Sequence, residues 1–136
     1  MGSSLFDLTG RVAIVTGGNG GIGLGMATGL AEAGAAIVIA ARDQKKSAEA
    51  AEKLQKLGAR VATVEVDVKD QNSVKRMVQA TLDRFQRVDI LVANAGINIR
   101  KPPQDVRAEE WQAVLDVNLN GPFFCAQAVY PAMKAQ

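Results

Sequence analysis

Thr16-Gly17-Gly18-Asn19-Gly20-Gly21-Ile22-Gly23 places five glycines in eight residues. The apolar run Val12–Val15 precedes it, and a helical pattern from Leu24 to Ala33 follows. Strand, glycine turn and helix in that order make a phosphate site. Missing Cβ atoms let a ligand approach the backbone, and the helix N-terminus offers free N–H groups and partial positive charge. The glycines fit two frames. Gly18, Gly20 and Gly23 match G-x-G-x-x-G, the general dinucleotide fingerprint. Thr16, Gly17, Gly21 and Gly23 match T-G-x-x-x-G-x-G. A glycine turn that only serves packing is the competing reading. Thr16 can close the turn with its side-chain hydroxyl or simply end a strand.

Other residues lie where they can complete such a site. Asp67 can accept a hydrogen bond from an adenine amino group, or cap its own loop. Asn94-Ala95-Gly96 can bring backbone close to a ribose, or brace the sheet. The end of the second strand reads Ala41-Arg42-Asp43. A carboxylate about 20 residues past the glycines commonly holds a ribose 2′-OH, yet Ala41 stands there. Arg42 can instead clamp a 2′-phosphate with charge-assisted bonds. Asp43 is either a ribose ligand or the N-cap of the next helix, the second being favoured. Pro122 lies four residues after Asn118 and has no N–H, so the α-helical bond to the Asn118 carbonyl cannot form. Gly121 adds slack, and a simple helix kink is compatible with both.

Elements that could position these residues follow from the apolar pattern. Short β-branched runs predict strands at Val12–Thr16, Ala36–Ala41, Arg60–Val66 and Val88–Asn94. Helices are expected at about Gly21–Ala33, Asp43–Leu57, Gln71–Phe85 and Ala108–Lys134. In the second, Leu54 and Leu57 are expected on the apolar side, with Glu49/Lys53 and Glu52/Lys56 as i,i+4 pairs. In the third, Val74, Met77, Val78, Leu82 and Phe85 form a stripe, and Asp70 is the expected N-cap. Gly34 and Gly58 stand at helix C-cap positions. The alternation βαβαβαβα predicts an α/β fold, a doubly wound parallel sheet with strand order 3-2-1-4. The fourth strand would then be an apolar edge, an aggregation hazard. Another strand is therefore expected to pair with it, from beyond the end of this chain or from another chain. The loop Ile97–Val106 is expected near the ligand crevice.

The four motifs in this order resemble the short-chain dehydrogenase/reductase family: Thr16-Gly17-x-x-x-Gly21-Ile22-Gly23, Asp67-Val68, Asn94-Ala95-Gly96 and Val117-Asn118. The resemblance covers Leu8 to Gln136. It implies a single Rossmann-type domain over residues 1–136, incomplete on the strand-4 side, and an NAD(P)-dependent oxidoreductase. Such an enzyme moves a hydride between NADP(H) and a carbonyl or secondary alcohol of sugar-acid, polyol or oxoacyl type. It also implies that Gly17, Asn19, Gly21, Ile22, Gly23, Arg42, Asp67, Val68, Asn94, Ala95 and Gly96 hold the cofactor. NADP is favoured over NAD by Ala41 and Arg42. Relatives that prefer NADP often carry a basic residue at the position of Gly20, and this chain departs there. Asn118 matches a member of the family's Asn-Ser-Tyr-Lys catalytic set, whose carbonyl holds a relay water. Tyr130-x-x-x-Lys134 has the family's Tyr-x-x-x-Lys spacing. It precedes the expected position, on the same helix as Asn118, and Pro131 interrupts it, so it is read as a decoy. The true serine, tyrosine and lysine are expected outside these residues, the chain being truncated before them. The alternatives are a non-catalytic nucleotide-binding module, a truncated scaffold or sensor, and a methyltransferase, against which Asn94-Ala95-Gly96 argues. Trp111, Val114 and Leu115 form an apolar stripe on a helix that pairs between subunits in relatives. A homodimer or homotetramer is expected, with Trp111 as simple core the competing reading.

Composition bounds the rest. The chain has 136 residues, 48% apolar and 22% charged, with net charge +2, ordinary for one globular domain. That charge is too small to argue for nucleic-acid or membrane-surface partners, and the resemblance implies a small-molecule carbonyl or alcohol substrate. No histidine is present, which excludes Ser-His-Asp chemistry and histidine metal sites; no metal is expected. The lone Cys125 is read as an inert core thiol. No membrane-length apolar run or signal-peptide layout is seen, and Phe6 spoils a Met1-Gly2 myristoylation motif, so a cytoplasmic location is expected.

Overall fold

A computed structural model describes residues 4–136; Met1 and Gly2 lie outside the described residues. Four strands run parallel in the order β3-β2-β1-β4: β1 (Val12–Thr16), β2 (Ala36–Ala41), β3 (Val61–Glu65) and β4 (Ile90–Ala93). The helices α1 (Gly21–Glu32), α2 (Gln44–Gln55) and α3 (Gln71–Phe85) connect them in turn. After β4 come α4 (Ala108–Leu115), a π-helical segment (Asp116–Asn120) and α5 (Gly121–Ala135).

The period of two along each strand divides the core into two layers. Val12, Ile14 and Val38 face Val74, Met77 and Phe85 of α3 and Cys125 and Val129 of α5. Ala13, Val15, Ile37 and Ile39 face Ala27 and Ala31 of α1 and Ala50, Ala51 and Leu54 of α2. Both faces of β1 and β2 are therefore fully buried, which is why those strands read as unbroken apolar runs. In β4, Ile90, Leu91 and Val92 are only partly covered and Ala93 is exposed, as the sheet edge leaves them.

Local signals act as their chemistry predicts. Asp43 and Asp70 cap α2 and α3, accepting from the N–H groups of Lys46 and Asn72. Gly34 and Gly58 take the left-handed conformation that closes a helix. Gln86 takes it after α3 without being glycine.

Several expectations need correction. Strands β3 and β4 are shorter at both ends than the apolar runs. Leu57 lies beyond α2 and is 52% exposed, whereas Leu54 is fully buried; the C-cap turn carries Leu57 off the apolar face. Neither Glu49/Lys53 nor Glu52/Lys56 forms an ion pair among the described residues. Solvated pairs of this kind gain little from closing. The expected single helix Ala108–Lys134 is three pieces, because Pro122 withholds an N–H and the chain widens to a π turn in which the Gly121 N–H donates to the Asp116 carbonyl. Pro131, by contrast, is accommodated inside α5.

Candidate functional site: a crevice at the carboxyl ends of the strands

A cavity of about 410 Å3 opens where β1, β2, β3 and β4 end. It lies where the strand order reverses, the usual ligand position in such sheets. Its lining includes Gly17, Asn19, Arg42, Asp67, Val68, Asn94, Ala95 and Gly96. The glycine loop, the strand-2 end, the strand-3 end and the Asn-Ala-Gly segment thus meet at one place.

The floor is built by close backbone approach. A Cβ on Gly23 would stand 2.3 Å from the Gly17 carbonyl oxygen and 2.4 Å from Asn94 Nδ2. Gly17 itself has φ +65°, and a Cβ there would meet the Asn94 amide and the Ala95 backbone. Asn94 Nδ2 donates to the carbonyls of Thr16 (3.1 Å) and Gly17 (3.3 Å). The Thr16 hydroxyl accepts from the N–H groups of Asn94 and Ala95, each at 3.0 Å, and donates to the Val92 carbonyl at 3.4 Å. Thr16 therefore does not close its own turn; it fastens the end of β1 to the end of β4. The Asn-Ala-Gly segment braces the sheet and lines the cavity at once.

Gly21, Ile22, Gly23 and Asn118 do not line this cavity. Gly23 serves the packing just described. Gly21 opens α1 with φ +53°, and Ile22 in its first turn is 79% exposed. Gly20 caps α1 with no side-chain hydrogen bond, and no acidic residue occupies the first turn. That helix end is open to an anion. The Asn19 side chain turns away from the loop's own backbone: Nδ2 donates to the Asp43 carbonyl (3.3 Å) and to Ser47 Oγ (3.2 Å). It ties the glycine loop to α2.

At the strand-2 end, Arg42 is exposed and its guanidinium has no carboxylate partner among the described residues. The Asp43 carboxylate is committed to capping, accepting from the Lys46 N–H at 3.0 Å. Asp67 accepts from the Lys69 N–H at 3.3 Å and stands 4.0 Å from the Lys69 ammonium, while its own N–H donates to Ser73 Oγ at 3.0 Å. It caps its loop and still lines the cavity. Val68 is buried against α5, where a Cβ on Gly121 would come within 2.7 Å of its Cγ2.

Asn118 lies in the π segment, and its side chain makes a two-pronged bond to the loop after Gly96. Oδ1 accepts from the Ile97 N–H at 2.8 Å, and Nδ2 donates to the Ile97 carbonyl at 2.9 Å. The rest of that loop is pinned at Lys101, whose ammonium bonds Glu110 in the first turn of α4. This contact and the Arg107 N–H hold the Glu110 carboxyl down to about 2.

Ile97, from the loop expected near the crevice, and Val117, from the Val117-Asn118 motif, also line the cavity, as does Lys46, which sequence reasoning missed. Its place in the first turn of α2, three residues past the cap, is the one signal that could have found Lys46. Tyr130 and Lys134 do not line the cavity. Tyr130 is 60% exposed, and the Lys134 ammonium lies over its ring at 5.9 Å. Cys125 is buried, and burial pushes its thiol up to about 11, so it holds little thiolate near neutrality. No group of metal-ligating side chains occurs among the described residues.

Comparison with known proteins agrees with this geometry. The family model described as short chain dehydrogenase matches residues 11–136. An uncharacterised oxidoreductase of Thermotoga maritima is 43% identical over 120 residues, covering 88% of this chain and 47% of its own. The crystal structure of a short-chain type dehydrogenase/reductase from Mycobacterium marinum superposes with TM-score 0.94 at 36% identity, over 97% of this chain and 53% of that one. A gluconate 5-dehydrogenase from Burkholderia cenocepacia, in complex with NADP and tartrate, superposes with TM-score 0.88 at 42% identity, over 96% and 51%. The chain spans about half the length of these relatives. On the match over residues 11–136, with its parallel sheet and motif order, this chain belongs to the short-chain dehydrogenase/reductase family.

Proposed function

We propose that this chain is the cofactor-holding part of an oxidoreductase that moves a hydride between NADP(H) and a small carbonyl or secondary alcohol. The observation that carries the reading is the crevice itself. Arg42 and the uncapped N-terminus of α1 meet at a crevice in which the one carboxylate at the strand-2 end, Asp43, is committed to a helix cap. A ribose 2′-phosphate meets cations and N–H donors there, while the Asp43 carboxylate is held by the Lys46 N–H. Gly17 and the α1 N-terminus suit the pyrophosphate, Asp67 and Val68 the adenine, and Asn94, Ala95 and Gly96 the adjoining ribose. When bound, the nicotinamide supplies the hydride chemistry. Sugar-acid, polyol and oxoacyl substrates are the classes proposed; the gluconate dehydrogenase neighbour, held with NADP and tartrate, supports the first.

Asn118 is proposed as this chain's contribution to proton transfer. Pro122 denies its carbonyl the α-helical partner, and the side-chain fork to Ile97 fixes its position beside the crevice. The acid/base tyrosine and lysine are assigned to residues outside these 136, because Tyr130 and Lys134 lie off the cavity. Isothermal titration of the protein with NADP+ and NAD+ tests the cofactor reading. NADP+ is expected to bind at least about tenfold more tightly; a preference for NAD+ overturns it. Binding without turnover of any carbonyl or alcohol by the intact protein would favour a non-catalytic nucleotide-binding module. Where Trp111, Leu119, Phe123 and Tyr130 stand exposed along α4, the π segment and α5, a second copy of the chain is proposed to cover them, and a further strand to pair with β4. Sedimentation velocity distinguishes the expected dimer or tetramer from a monomer.

A further inference from the structure

The crevice has a cation besides Arg42. Lys46 lies in the first turn of α2 and lines the cavity together with Gly20, Arg42 and Asp43. Its ammonium is folded back over the glycine loop: a Cβ added to Gly20 would stand 2.7 Å from Lys46 Nζ and 2.8 Å from Cε. The lysine thus fills the space a side chain at position 20 would take. No carboxylate lies within ion-pair distance of Lys46 or Arg42 among the described residues. The acids nearest in the lining are already engaged, Asp43 with the Lys46 N–H and Asp67 with Lys69. Two cations lining one cavity, an ammonium on a flexible stem and a planar guanidinium fork, neither paired with a carboxylate, favour an anion there.

We propose that Lys46 is a specificity-determining residue for the cofactor: with Arg42 it clamps the ribose 2′-phosphate, reaching it from α2 across the gap left open at Gly20. This rests on the NADP reading above, and supplies from a helix the second cation that the glycine loop itself lacks. The backbone of Gly20 is extended, with φ −173°, so any residue can be placed there once the lysine is shortened.

The test is calorimetric titration of wild type, Lys46→Met, Lys46→Gln and the double variant Gly20→Lys/Lys46→Met with NADP+ and with NAD+. Wild type is expected to prefer NADP+. Each single variant is expected to lose about tenfold or more in NADP+ affinity, with NAD+ affinity kept within about twofold. The double variant is expected to regain most of the loss, because it returns an ammonium to the same space from the other side. If wild type prefers NADP+ but the single variants bind it as before, the role of Lys46 is overturned and the cofactor reading stands. An equal loss for both cofactors overturns it too, since that marks packing and not phosphate recognition. If wild type prefers NAD+, the cofactor reading fails and the proposal falls with it.

Discussion

At the scale of single residues, Thr16 is the most economical device in the molecule. One hydroxyl, 1% exposed, receives two backbone N–H groups from the end of β4 and returns one bond to it. Valine has the same shape and no oxygen. Thr16→Val would leave the half-buried Ala95 N–H without its partner and the Asn94 N–H with the Val92 carbonyl alone, and an unmet donor costs about 1–3 kcal/mol. We expect Thr16→Val to lose about 1–3 kcal/mol in urea unfolding and Thr16→Ser less than about 1 kcal/mol. A valine variant as stable as wild type would show that these bonds are not what joins the two strand ends. Beside Thr16, Gly23 is constrained by space alone. Its missing Cβ lets the Gly17 carbonyl and the Asn94 amide pass across the start of α1.

At the scale of elements, α1 separates the two uses of glycine. Gly25 and Gly29 lie inside the helix, and an added Cβ at either meets nothing within 4 Å. Alanine there removes backbone freedom from the unfolded chain without a clash. Gly25→Ala and Gly29→Ala should each stabilise by about 0.5–1 kcal/mol, whereas Gly23→Ala should destabilise by about 2 kcal/mol or more. Thermal melting of the three variants checks both signs; a destabilising Gly29→Ala would place an unrecognised contact on that face. These differences explain what the sequence could reveal. Strands β1 and β2 match their apolar runs residue for residue, because burial on both faces leaves no polar residue to blur the ends. Helix α3 matches too, fixed by the Asp70 cap and its stripe. The ends of β3 and β4 are blurred, since an apolar residue at a sheet edge continues past the last ladder bond. The eight cavity-lining residues read from motifs lie at strand ends and in the turns after them, where the local pattern fixes their place. Lys46 was illegible because it arrives from a helix whose orientation depends on the closed fold. The π segment was half legible: Pro122 announced a missing bond, and only the structure showed that the chain answers with an i→i+5 turn instead of a kink.

At the scale of the whole molecule, the two ends of the sheet divide the labour. The carboxyl ends hold the crevice, and the amino ends hold a charge cluster around Asp89. Its carboxylate accepts from the Val12 N–H at 2.9 Å, from Arg87 Nε at 2.7 Å and from Arg11 at 3.2 Å. Alongside, the Gln136 side chain bonds both the N–H and the carbonyl of Val88. The starts of β1 and β4 and the far end of α5 are thereby locked together, at the opposite end of the sheet from the crevice. The Arg87 guanidinium above all, helped by the Val12 N–H and Arg11, lowers the Asp89 carboxyl from 3.8 to about 2. The depressed folded-state value means that the folded chain gives up this proton more readily than the unfolded one. The resulting stability is complete above about pH 4 and is lost as pH falls toward 2. Partial solvent access reduces it to about 1–2 kcal/mol. Asp89→Asn should therefore unfold more easily than wild type by that amount at neutral pH. The gap should close between about pH 4 and pH 2, because wild type loses there what the variant never had. Cofactor affinity should stay the same in both, measured by the same titration as above. A gap that persists at pH 2 would show that the cluster acts by packing and not by charge, and a change in affinity would show that the two ends of the sheet are coupled.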